Sequence, residues 1–192
     1  MDPQLLGKAV NQKKDLAARL TNLVNELRAV RSEIQNDREA ALAKLADPIH
    51  VVIGKIWEQR VAIPLEIVTE VLPRVYLNSI PESPDYVAGY LQWRGIAVPV
   101  IDPAARWGDP PLPIRLEDRI VILSLPEGPR GLLMSDVEEL ESIGKAELTS
   151  MPAEVPAATY AIAAWHTREN SVLLLDAEGL IDSAELGKYA IR

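Results

Sequence analysis

The 192-residue chain contains no cysteine. That excludes a disulfide framework, a thiolate zinc site and thiol chemistry, and it fits a reducing compartment. Histidine is nearly absent: His50 and His166 stand far apart without a ligand-like neighbour, so each reads as structural rather than as a base or metal ligand. There is no Gly-x-Ser-x-Gly and no glycine-rich loop of the kind that cradles phosphate. Carboxylate pairs do occur, Glu117-Asp118 and Asp136 with Glu138-Glu139, but in an acidic chain they read as solvated surface. The expectation is no catalytic residue, no metal, no cofactor, and hence no enzyme. No apolar run approaches the ~18 residues of a membrane span. The opening Met1-Asp-Pro-Gln-Leu-Leu-Gly-Lys8 lacks the basic-then-apolar plan of a secretory signal. Direct membrane insertion is therefore not expected.

Positive charge is also scarce where it would matter for nucleic acid. The net charge is −8. Residues 1–46 hold 8 Lys/Arg and 6 Asp/Glu, a balance of +2, whereas residues 47–192 hold 12 and 22, a balance of −10. An acidic globular part argues against DNA, RNA or an anionic membrane surface as partner.

Glycine and proline are missing from Lys8 to Ala46, while 14 of the 15 prolines and 9 of the 10 glycines follow Asp47 or later. All nine Trp and Tyr residues also lie after Ala46. The chain thus reads as a helix over residues 1–46 and a turn-rich domain over residues 47–192. In the helix, Leu16, Leu20, Leu23, Leu27, Val30 and Ile34 recur at spacings of four and three. This is a heptad seam with Leu20, Leu27 and Ile34 at a, and Leu16, Leu23 and Val30 at d. Lys13 interrupts it upstream and Asp37 downstream, leaving about three clean heptads. In a parallel pair Glu26 (g) would face Arg31 (e) and Glu33 (g) would face Arg38 (e), both attractively. Two readings stand: self-association through residues 6–45, or an amphipathic helix folded back on its own domain. The narrow two-in-seven stripe favours the first, since a helix on a globular core usually shows a wider apolar face.

After Pro48 the rhythm becomes short strands: 49–57, 61–63, 67–72, 87–93, 96–101, 120–125, 131–135, 137–142, 160–165 and 171–175. About ten strands with few helices predict a mainly β fold of small barrels or a sandwich. Asp176 to Tyr189 reads as a terminal helix with Asp176 as its cap. The most informative stretch is Tyr90-Leu-Gln-Trp-Arg-Gly-Ile-Ala-Val-Pro-Val-Ile-Asp102. Alternation puts Gly89, Leu91 and Trp93 on one face, shared across the turn with Ile96, Val98 and Val100. Gly95 supplies the positive φ, and a type I turn closed by a glycine bulge is expected because Arg suits a mirror-image turn poorly. Arg94 is then held at the tip, able to grip a partner's carboxylate. Glu70 is a single charge within the apolar strand Ile67-Val-Thr-Glu-Val-Leu72. By itself it reads as lying on that strand's wet face.

The order of motifs resembles the CheW family of chemotaxis coupling proteins over about residues 50–183. It runs from Val68-Thr-Glu-Val71 through Pro81 and Pro84-Asp-Tyr86 to Gly89-x4-Arg94-Gly95-x3-Pro99-Val-Ile-Asp102. It continues with Arg119 to Leu125, Gly131-Leu-Leu-Met134 with Val137, and Val172 to Asp176. The resemblance implies two five-stranded SH3-like barrels packed on each other with a C-terminal helix. It implies a non-catalytic scaffold that couples a chemoreceptor's cytoplasmic tip to the regulatory domain of a CheA-type histidine kinase. It places the protein in the cytoplasm, at membrane-associated or polar arrays. By position, Glu70 is the brace and Arg94 the contact residue, with Val68, Gly89 and Gly95 at coupling positions. Trp93, beside Arg94, reads equally as interface or core.

The chain departs from the family pattern in Gln92-Trp93 before Arg-Gly, in Ser135 for the usual Asp, and in Ala161-Ile-Ala-Ala-Trp165 for the late Gly-x-Gly. The long N-terminal helix is not part of the minimal family plan. It suggests an alternative: a specialised adaptor that oligomerises or recruits another protein through its coil, in a non-flagellar assembly such as pilus motility. A small hydrolase or metal-binding β-barrel using scattered carboxylates is a distant third.

Overall fold

The computed structural model describes residues 3–150, 156–167 and 170–181. Helix α1 (Pro3–Lys44) spans 42 residues, about 63 Å at the α-helical rise. Eleven strands follow among the described residues: β1 (Ile49–Ile56), β2 (Gln59–Pro64), β3 (Val68–Pro73), β4 (Val87–Trp93), β5 (Ile96–Ile101), β6 (Arg119–Leu125), β7 (Gly128–Met134), β8 (Asp136–Ile143), β9 (Leu148–Thr149), β10 (Ala161–His166) and β11 (Ser171–Leu175). Two one-turn helices, α2 (Pro103–Arg106) and α3 (Ala177–Leu180), and three short 3-10 turns (Leu65–Ile67, Lys145–Glu147 and Pro156–Tyr160) complete the described elements. No described helix is long and apolar enough to cross a membrane. By its contacts the chain divides into two compact units, Met1–Ala40 and Ala41–Arg192.

The second unit is mainly β and holds two mixed sheets. One has the order β8-β1-β2-β11-β10-β9, the other β3-β6-β7-β5-β4. Both follow one plan. A hairpin (β1-β2, or β6-β7) lies parallel beside a second hairpin (β10-β11, or β4-β5), through the pairs β2-β11 and β5-β7. Each first hairpin is then flanked by a strand that follows the other hairpin in sequence. β3 comes after β1-β2 yet pairs with β6, and β8 comes after β6-β7 yet pairs with β1. The two sheets have exchanged edge strands.

Side-chain alternation explains why several strands read as unbroken apolar runs. Ile49, Val51, Ile53, Ala62, Val172 and Leu174 enter a smaller core, where Leu42 of α1 and Leu45 just beyond it also pack. Ile56, Val61, Ile63, Leu173 and Leu175 enter a larger core shared with Val98, Val100, Ile120, Ile122 and Leu132 of the other sheet. A sheet covered on both faces has no wet face to alternate with. Each such buried side chain stabilises the fold by about 1.5–3 kcal/mol, so the shared core binds the sheets into one unit.

The structure differs from expectation at several points. The first sheet has six strands rather than five, because the two-residue β9 pairs with Ala164 and Trp165 of β10; a strand that short has no readable period. Trp57 is not a strand residue but the first residue of the β1–β2 turn, at φ 52°. The Arg94-Gly95 turn is not a type I turn with a bulge. Trp93 pairs with Ile96, leaving a two-residue loop with Arg94 at φ 50° and Gly95 at φ 84°, the mirror-image type I′ form. The terminal helix runs only from Ala177 to Leu180 among the described residues, with the Asp176 carboxylate capping the Gly179 N–H at 3.0 Å. The expected stretch 182–189 lies outside them.

Asp118 is not solvated surface: it is 1% exposed. Its Oδ2 accepts from Arg74 Nη1 at 3.0 Å and from the Arg115 backbone at 2.9 Å. Asp102 is also buried, and its carboxylate takes the backbone N–H groups of Ala104 and Leu112 at 3.0 and 2.8 Å. Burial pushes the Asp102 carboxyl above its ordinary range, against the pull of these backbone donors.

Two glycines test this geometry. Gly89 sits at a register break in β4 with φ 136°, where a Cβ would lie 2.5 Å from the Asn78 carbonyl oxygen. Gly95 has φ 84° and open space around it. Urea unfolding of Gly89→Ala should therefore show a loss of about 2–3 kcal/mol, strain plus collision, and Gly95→Ala only about 1 kcal/mol.

Candidate functional site

The β4–β5 hairpin positions the site. Register places Leu91 opposite Val98 and Trp93 opposite Ile96, so Leu91 and Val98 anchor the hairpin in the core while its tip stays outside. Trp93 is half-buried and packs against that core. On β3, Val68, Glu70 and Leu72 are half-buried while Thr69, Val71 and Pro73 are exposed. Glu70 thus lies on the inward side of its strand, not the wet side, and it meets the hairpin. One carboxylate oxygen, Glu70 Oε2, accepts both the Trp93 indole Nε1–H at 2.9 Å and Arg94 Nη2 at 3.0 Å. The Arg94 guanidinium also lies over the Trp93 ring, 4.6 Å from its centroid.

These contacts account for a backbone that Arg would otherwise avoid. The left-handed conformation costs a non-glycine residue about 1–2 kcal/mol. An exposed ion pair returns at most about 1 kcal/mol and an Arg–Trp stack about 0.5–1 kcal/mol, enough together to offset it. The result is a guanidinium fixed in direction but 65% exposed, so its remaining donors stay available to a partner. The body of Trp93 is packed against the core and its indole N–H holds the Glu70 carboxylate. Of the residues expected at the site, Glu70, Trp93 and Arg94 are in direct contact, Gly95 completes their turn, and Val68 lies two residues from Glu70 on the same side of β3. Gly89 is not part of this cluster. It is buried four residues back along β4, where it admits the backbone of Asn78, which bridges to Tyr90.

A second feature adjoins the first. Between β3 and β8, the two exchanged edge strands, lies a cleft of about 610 Å³. Its apolar lining includes Val52, Leu65, Val68, Val71, Val137 and Leu140, and its polar lining is Thr69, Glu70, Glu138 and Glu139. Glu70 therefore belongs to both the cleft and the Arg94 cluster. Sequence reading missed Leu65, Val71, Val137 and Leu140. The signal was present in Glu138-Glu-Leu-Glu141: Leu140 is 68% exposed on an acidic edge strand, which a core role does not explain.

The acidic wall is held by cations. Glu138 takes Lys55 Nζ at 2.8 Å and Arg60 Nη2 at 2.7 Å, and Arg60 also reaches Glu139 at 2.9 Å. The Lys55 hydrogen bond, and after it the Arg60 contacts, hold the Glu138 carboxyl below its ordinary value of 4.5. Elsewhere, His50 Nδ1 is 2.7 Å from the Ser142 hydroxyl across β1 and β8. Among the described residues no group of three His, Asp or Glu could hold a metal ion.

A carboxylate lowered on folding stabilises the protein above its unfolded pKa and loses that contribution as pH falls through its folded value. Carboxyl-carbon NMR should find the Glu138 midpoint below 4.5, moving upward in Lys55→Ala and in Arg60→Ala. Arg94→Asp loses the Glu70 pair and the Trp93 stack and sets a second carboxylate beside Glu70, so urea denaturation should show a loss of about 1–2 kcal/mol with the module still folded.

Comparison with known proteins agrees with this architecture. A family model described as the CheW-like domain matches residues 50–185. The crystal structure of the scaffolding protein TtCheW from Thermoanaerobacter tengcongensis superposes with a TM-score of 0.64 at 23% identity, covering 70% of this chain and 93% of that one. No curated protein matches. With most of its second unit covered by the family model and the expected fold around it, the chain belongs to the CheW-like domain family.

Proposed function

We propose that the protein is a non-catalytic adaptor that couples chemoreceptors to a CheA-type histidine kinase in chemotaxis-like signalling, in the cytoplasm at membrane-associated or polar arrays. We take residues 47–192 as the coupling module. The observation that carries the reading is the Glu70–Trp93–Arg94 cluster: an exposed guanidinium pre-set on a strained turn and braced from behind. Such a group loses little freedom when it meets a partner carboxylate, which makes it an efficient interface anchor. The adjoining cleft supplies apolar area beside that charge, the mixture that protein interfaces use. Val68 and Glu70 join the two surfaces, and Gly89 and Gly95 hold the hairpin geometry between them.

A second reading concerns α1. Five of its seam residues, Leu20, Leu23, Leu27, Val30 and Ile34, are exposed to 43–64%. That favours the specialised variant, in which the coil adds oligomerisation or a further partner in a non-flagellar assembly.

The test is calorimetric titration of the full chain with the CheW-like regulatory domain of its organism's histidine kinase, and separately with a receptor's cytoplasmic tip. Wild type should bind, and Arg94→Asp should bind at least one of the two roughly tenfold or more weakly. Leu140→Glu, on an exposed position, should weaken whichever partner occupies the cleft without unfolding the module. Binding indifferent to both changes would remove the contact from these surfaces, and no binding by wild type would overturn the coupling reading.

A further inference from the structure

We propose that α1 pairs with a second copy of this chain as a parallel, in-register, two-stranded coiled coil, making the protein a bivalent unit with both CheW-like modules at one end. The proposal deepens the second reading of α1 and does not depend on which partner the module binds. Two observations carry it, the exposed seam and the charges that flank it.

The seam is continuous. Leu20, Leu23, Leu27, Val30 and Ile34 are each more than two-fifths exposed, and Val24 at an adjoining e position is 44% exposed. The opposite positions are polar: Thr21, Asn22, Asn25, Arg28, Ser32, Gln35, Asn36 and Glu39, with only Ala29 apolar among them. On that outer face Gln35 Nε2 donates to Glu39 at 3.0 Å, one turn along. A stripe this narrow fits a helical partner rather than a broad surface.

The flanking charges select orientation. Along the seam the charged g positions are Arg19, Glu26 and Glu33, and the charged e positions are Arg31 and, just past Asp37, Arg38; in a parallel pair Arg19 meets the uncharged Val24. In a parallel pair each g residue meets the e residue five positions later on the other chain. Glu26 then meets Arg31 and Glu33 meets Arg38, and two-fold symmetry repeats both pairs. In an antiparallel pair g meets g and e meets e, so Glu26 and Glu33 are set against each other, as are Arg31 and Arg38. The same four residues that attract in one orientation repel in the other.

Parallel pairing has a consequence for function. Only residues 45–48 separate the end of α1 at Lys44 from β1 at Ile49. Two helices running the same way therefore deliver their two modules at the same end of the coil. Once one module is bound, the other faces a neighbouring site at an effective concentration in the millimolar range, and avidity can exceed single-site affinity by roughly 10²–10⁴.

The chain has no cysteine, so single introduced thiols report orientation cleanly. Sedimentation equilibrium of wild type should give the mass of two chains. Under a glutathione buffer Leu20→Cys and Ile34→Cys, each alone, should cross-link to the dimer. Ser32→Cys on the outer face should not, and mixing Leu20→Cys with Ile34→Cys should yield no mixed link. Because a seam cysteine could itself weaken the coil, the double variant Glu26→Lys/Glu33→Lys provides a separate reading. It should dissociate at about tenfold higher concentration, with the deficit shrinking in high salt. A monomeric mass, a trimeric mass, or cross-linking confined to the mixed pair would each overturn the proposal. None of these outcomes bears on the kinase titration, which reads the module alone.

Discussion

The exchange of edge strands is the constraint on which the rest depends. Strand β3 leaves the hairpin that precedes it and completes the opposite sheet; β8 returns the exchange. Neither sheet has its full complement without a strand from the other half of the chain, and the larger core sits where they meet. Interlocking of this kind makes the module one cooperative body, because separating the sheets would break two antiparallel ladders and expose the shared core together. It also brings β3 and β8 to face each other as edges, and that opposition creates the cleft. The candidate site is thus a by-product of how the fold closes, not an addition to it.

Buried and half-buried carboxylates do the finer positioning. Asp102 gathers the N–H groups of α2 and of Leu112, and Asp118 ties Arg74 to the Arg115 backbone, so the long irregular segment between β5 and β6 is pinned at both ends. Glu70 plays the corresponding part at the surface. One of its two oxygens accepts from both an indole and a guanidinium, and it holds an Arg in a backbone state that Arg disfavours. A strained residue persists only where its surroundings over-determine it. Here the surroundings are the packed indole below and the carboxylate beside it, and the outcome is a charge presented outward with little freedom left to lose.

Several of these features were legible in advance. The helix announced itself by the absence of glycine and proline and by its three-four spacing. Strands β4, β5 and β11 carry the boundaries expected from alternation and turn residues. The motif series named Glu70 and Arg94 as a pair because their spacing around Val68-Thr-Glu-Val71 and Arg94-Gly95 matched a family pattern. What alternation could not distinguish was the side of β3 that faces inward. Glu70 lies inward and Val71 outward, contrary to their polarity, because the inward side meets the Trp93 indole N–H and the Arg94 guanidinium, which Glu70 accepts. The turn type was likewise misjudged from Arg's intrinsic preference. That preference is worth only a kcal/mol or so, within reach of the contacts that Arg94 makes.

By itself the sequence determined a long N-terminal helix ahead of a mainly β region, the family, the three-four spacing of apolar residues with its flanking charges, and the place of ten of the eleven described strands. All of these rest on interactions between residues near in the chain or on periodicity that local geometry imposes. Only tertiary structure decided the strand exchange, the six-stranded first sheet, the burial of Asp118, the mirror-image turn at Arg94 and the cleft between β3 and β8. Each depends on groups brought together from distant parts of the chain, where packing and desolvation outweigh local propensity and no short-range pattern records the result.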